Sequence, residues 1–142
     1  MALSGDGVHF TAWRAAERTE AQVPESWGVA FSAAGKLNRW HPYVRAGYSP
    51  RDDKSPVLLS SMLSVGVGVD VRTDDRVGVA VTWGRPPQLE ARDQFSIEGW
   101  YRLQLLHNVQ LSPGAQWTLH PAVNFDRNSI WVLSVVRIRV VF

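Results

Sequence analysis

Seven residues carry most of the polar chemistry in this sequence: Arg45, Glu98, Trp100, Arg102, Gln104, Arg137 and Arg139. Glu98, Trp100, Arg102 and Gln104 occupy alternate positions, and so do Arg137 and Arg139. In an extended strand, alternate side chains share one face. Arginine donates, glutamate accepts, and glutamine does both. A row of such groups can hold a hydroxyl-rich solute loosely, and an aromatic face such as Trp100 can lie against a ring. Weak contact at many points is what passage along a surface requires. The plainer reading is that these are polar wall residues that wet an interior.

Other chemistries find little support. His9, His41, His107 and His120 show no ligand spacing on any one element, so no metal is expected. The pairs Asp52-Asp53 and Asp74-Asp75 lie in connections, where solvated charge is the default. Gly66-Val67-Gly68 lacks the third glycine, the following helix and the distant acid of a dinucleotide loop. There is no cysteine, which excludes disulfides and thiolate metal sites. No Ser-His-Asp order accompanies a nucleophile-elbow motif. A net charge of +2, without a Lys/Arg block, gives no case for nucleic acid. The expectation is a protein with no catalysis and no cofactor.

The elements that must position these residues are strands. The plainest is the stretch Ser129 to Phe142. Ile130, Val132, Ser134, Val136, Ile138, Val140 and Phe142 fall on one face, with Arg137 and Arg139 on the other. A segment this long exceeds the usual globular strand and suits a tilted membrane-spanning one, which needs about 9–11 residues. In water such an edge strand would invite aggregation; in a bilayer it is an ordinary wall strand. The alternation repeats near 7–14, 26–35, 40–49, 61–72, 77–83, 93–106 and 109–119. From Ser61 to Arg72, valines 65, 67, 69 and 71 oppose Gly66, Gly68, Asp70 and Arg72.

The 142 residues leave room for a single domain. The hydrophobic share of 45% is ordinary, and no run of about 18 apolar residues offers a transmembrane helix. A transmembrane barrel escapes that test, because lipid-facing and water-facing residues alternate. Met1 to Gly7 does not read as a signal peptide, so an exported protein would take its leader from elsewhere. Long connections are expected at 15–25, 50–60, 84–92 and 120–128, and short turns at 36–39, 73–75 and 107–108. They alternate strictly. Short periplasmic turns and longer external loops are the habit of outer-membrane barrels. Trp27, Trp40, Tyr43, Trp83, Trp117 and Trp131, with Phe142, stand near strand ends or on apolar faces, as an interfacial girdle would.

From Asp93 onward the residues take on a family pattern. Asp93-Gln94-Phe95-Ser96-Ile97-Glu98 and Trp100-Tyr101-Arg102-Leu103-Gln104-Leu105 resemble the C-terminal region of carbohydrate-selective outer-membrane porins, the OprB type. Pro113 with Gln116, Pro121-Ala122, Asp126, Ile130-Trp131-Val132-Leu133, the two terminal arginines and Phe142 continue the likeness. Trp83-Gly84-Arg85-Pro86, Trp40 through Gly47 and the Gly/Val strand at 65–69 extend it upstream. His107 replaces a proline of the pattern, and His120 an asparagine. The resemblance implies an antiparallel transmembrane β-barrel in the bacterial outer membrane, conducting sugars by passive diffusion. Its partners would be carbohydrates and outer-membrane lipid. Family barrels have about sixteen strands, so the eight expected here correspond to a C-terminal half, completed by an N-terminal half or by other porin chains. Two other classes stay open at the level of residues: a small closed eight-stranded barrel with a structural or adhesive role, and a soluble ligand-binding β-barrel.

Overall fold

The computed structural model describes residues 7–17, 19, 24–52, 54, 57–122 and 129–140. Eight strands run in chain order: β1 (Gly7–Ala15), β2 (Ser26–Ala34), β3 (Trp40–Tyr48), β4 (Ser61–Asp70), β5 (Arg76–Arg85), β6 (Gln94–Leu106), β7 (Val109–Leu119) and β8 (Ile130–Val140). They form one sheet in the order β1-β2-β3-β4-β5-β6-β7-β8, every neighbour antiparallel. The fold is therefore an all-β antiparallel meander. The sheet is open: among the described residues, β1 and β8 make no contact. Phe142, the end of the terminal pattern, lies outside the described residues.

The strand limits differ from the expected ones where turns compete with pairing. β4 ends at Asp70, because Val71 N and Arg72 N donate to Asp75 O and tighten the turn. β5 begins at Arg76 and reaches Arg85, pairing with Ser61 at its far end. Asn38, in the turn before β3, has φ 56°, a left-handed conformation that asparagine tolerates well. His120 adopts φ 51° at the corner after β7.

Apart from the loop prolines Pro86, Pro87 and Pro121, Ala80 is the one apolar side chain buried among the described residues. Most of the large apolar residues point outward, while Trp13, Trp131, Leu133 and Val135 fall on the other face. Val65, Val81, Ile97 and Val132 stand on one outer row across four strands, each more than half exposed. A soluble barrel packs such a row inside, and an exposed apolar belt of this breadth marks a surface made for another apolar medium. The opposite face is polar. His9, Ser32, Arg45, Ser64, Thr82, Ser96, Thr118 and Trp131 succeed one another across the whole sheet. Two hydroxyl pairs close along this row, Thr82 Oγ1 to Ser64 Oγ at 2.8 Å and Ser96 Oγ to Thr118 Oγ1 at 3.1 Å. Period-two alternation thus sorts the chain onto an apolar convex face and a polar concave one.

Candidate functional site

The concave face encloses a space of about 770 Å³. Arg45, Glu98, Trp100, Arg102, Arg137 and Arg139 all line it. Gln104 sits at its edge, where Gln110 Nε2 donates to Gln104 Oε1 at 3.2 Å. Six of the seven polar candidates from the sequence thus share one concavity, and the seventh adjoins it.

Trp100 owes its exposure to glycine. It stands directly opposite Gly78 on β5, and its row continues through Gly68 on β4 and Gly114 on β7. A Cβ on Gly78 would collide with the indole ring, and one on Gly68 would meet Arg76 Cδ at 2.9 Å. The ring therefore lies against bare backbone, with one face left to the concavity. Tyr43 repeats the arrangement: it is paired with Gly66, whose Cβ would collide with the phenol. Arg102 stacks on Trp100 at 5.6 Å and Arg45 on Tyr43 at 5.8 Å.

Near the short-turn end of the concave face, three residues lock together. Arg76 Nε donates to Asp70 Oδ1 at 2.7 Å, and His41 Nε2 is 2.7 Å from Asp70 Oδ2. Arg76 Nη2 also approaches His41 Nε2 at 2.8 Å. That nitrogen can donate to Asp70 or accept from Arg76, not both at once. The sequence reading missed this trio. Arg76 lay outside the expected strand, although it has the same parity as Gly78, Ala80 and Thr82. His41 has the parity of Tyr43 and Arg45.

Two aromatics depart from their expected place. The girdle reading put Tyr43 and Trp131 with the outer aromatics, but the register turns both inward, Tyr43 into the concavity and Trp131 beside Thr118. A strand end in the sequence does not by itself fix a face; parity does. Trp27, Trp40, Trp83 and Trp117 lie on the convex face by the same register. Trp27 meets Tyr48 edge-on at 6.0 Å near the long-loop end, and Arg39 covers Trp40 at the short-turn end.

The long-loop end is pinned by a small network. Trp83 Nε1 donates to Asp93 Oδ2 at 2.9 Å, and Arg85 Nε to Oδ1 at 3.1 Å. The Arg85 guanidinium, helped by the Trp83 N–H, holds the Asp93 carboxyl below the usual carboxylate range, against its partial burial. Ser60, fully buried, donates to Arg85 O at 3.1 Å beside the buried Pro86 and Pro87. Among the described residues no cluster of His, Asp or Glu could hold a metal ion.

A polar concave face, an apolar convex face and aromatics at both strand ends define the wall of an outer-membrane β-barrel. Within that class, a family model described as carbohydrate-selective porin, OprB family, matches residues 4–142. The chain belongs to this family of carbohydrate-selective outer-membrane porins. No curated protein and no solved structure matches it.

Proposed function

We propose that this chain forms part of the wall of a sugar-conducting pore in the bacterial outer membrane, and that sugars pass by diffusion along its concave face. The reading rests above all on Trp100, an indole laid on glycine backbone between Glu98 and Arg102 and open to the concavity. The indole offers a flat apolar surface to the C–H face of a sugar ring, while Glu98, Arg102 and Gln104 offer acceptors and donors to its hydroxyls. Ser64 and Thr82, which line the same space, extend such contacts toward the long-loop end. Each contact is exchangeable, which suits conduction better than capture. Arg137 and Arg139 complete the polar lining from the last strand.

The absence of native cysteine makes a direct test possible. In cells, Glu98→Cys should react with a water-soluble thiol reagent, and glucose should slow that reaction. Ile97→Cys, one residue away on the convex face, should be unreactive. Equal reactivity at both positions, or no protection of Glu98→Cys by any sugar, would sink the proposal.

A further inference from the structure

The concave face carries more positive charge than a neutral sugar requires. Five arginines line it, Arg45, Arg76, Arg102, Arg137 and Arg139, against one carboxylate, Glu98. Asp70 adds a second carboxylate nearby, but Arg76 and His41 occupy its two oxygens. Among the described residues, Arg102, Arg137 and Arg139 have no ion-pair partner. Arg76 and Arg102 stand directly opposite one another on adjacent strands, a like-charge pairing that costs stability. Arg137 and Arg139 face Ser112 and Gln110 on β7, close to the β6 residues Arg102 and Gln104. The charge is local: it gathers toward the short-turn end, while the row from Ser64 to Thr118 is uncharged.

We propose that this cluster is a binding site for acidic sugars, monosaccharides that carry a carboxylate or a phosphate. The site lies on the sugar pathway proposed above and assigns it a preferred substrate class. Guanidinium groups offer forked donors that match carboxylate and phosphate oxygens two at a time. A bound anion relieves the repulsion between Arg76 and Arg102, which a neutral hydroxyl cannot do. A cleft of one charge sign between low-dielectric walls also concentrates counter-ions before any contact is made. Trp100 completes the site: it offers its indole to the sugar ring while Arg102, whose guanidinium lies over the indole at 5.6 Å, reaches the acid. Glu98, on the far side of Trp100 from Arg102, disfavours an acid group there and so orients the ligand with its anion toward the short-turn end.

The test is ligand-observed NMR titration of the assembled pore that contains this chain, in detergent at low salt, with glucose, glucuronate, glucose 6-phosphate and inorganic phosphate. Glucuronate and glucose 6-phosphate should each bind at least about ten-fold tighter than glucose. Inorganic phosphate, lacking the ring, should bind several-fold more weakly than glucose 6-phosphate. In Arg102→Gln/Arg139→Gln the acid-to-neutral ratio should fall toward one, and Arg102→Lys/Arg139→Lys should restore part of it. Arg85→Gln, at the opposite end, should leave the ratio alone. If the double variant does not fold, the single variants Arg102→Gln and Arg139→Gln carry the comparison. The proposal is overturned by equal affinity for glucuronate and glucose, by a ratio that survives loss of the arginines, or by inorganic phosphate matching glucose 6-phosphate. Acid binding without glucose binding would support this site and count only against a pathway for neutral sugars.

Discussion

Two residues with no obvious chemistry control those that have it. Gly78 leaves the space in which Trp100 lies, so Gly78→Val should lift the indole off the wall. The expected result is a folded protein, with unchanged heat-modifiable gel mobility, whose affinity for glucose falls several-fold. Asp93 acts on stability instead. Its carboxyl is held below its ordinary value by Arg85 and Trp83 in the folded state. Such a group stabilises above its unfolded pKa and loses that contribution as pH falls through the folded one. Asp93→Asn should therefore lower the melting temperature at neutral pH, with the gap to the parent closing as pH drops below about 4. A gap of constant size across this range would assign the effect to geometry rather than charge. Residues of this kind were only half visible in the sequence. Trp100, Arg102 and Glu98 could be placed on one face because parity needs nothing but counting. Asp93 was visible only as part of a family pattern, because its partners Trp83 and Arg85 approach it across a loop.

At the scale of the strand, alternation is a statement about solvent. Val81 lies mid-strand on the convex face, and Val81→Arg should cost about 2–4 kcal/mol, the cost of a cationic side chain at the bilayer midplane. Leu103 faces the same way but lies near the β6–β7 turn, so Leu103→Arg should cost about 0–1 kcal/mol. Gln104→Arg points to the concave side and should be mild. Urea titration of the three variants folded in lipid vesicles orders them; a Gln104→Arg more damaging than Val81→Arg would mean the faces are reversed. The strands were legible because burial is one-sided, and one-sided burial writes a period of two. Their ends were less so. β5 was expected to start at Val77, after the short turn Thr73-Asp74-Asp75, yet Arg76 is drawn into the strand by pairing with Asp70 and Arg102. The irregularity between Gln104 and Leu106, where the β6–β7 register shifts, left no signal in the alternation either.

For the whole molecule, the even meander puts every long connection at one end and every short turn at the other. We expect the long-loop end to face the cell exterior, as in other outer-membrane barrels. Cysteines replacing Asp52 and Glu90 should be labelled on intact cells by an impermeant reagent, and one replacing Asp74 only after permeabilisation. Equal labelling of all three would refute the orientation. The open edges carry a second expectation. β1 and β8 each present unpaired backbone groups, and in lipid each such group costs several kcal/mol. We expect the two edges to be covered, by further strands of the same polypeptide, by another chain or by pairing with each other. The 142-residue chain reconstituted alone should therefore admit no sugar to liposomes. Sugar-dependent swelling by a species of monomer mass would contradict this.

The meander also sets how such a wall assembles. Every strand touches only the strands before and after it in sequence. Each new pairing therefore closes a short loop, and the entropy lost at each step stays small. The wall can therefore grow hairpin by hairpin, without waiting for distant parts of the chain to meet. The single exception is whatever finally joins the first edge to the last. That step brings together residues from opposite ends of the wall, and we expect it to be the slowest in folding.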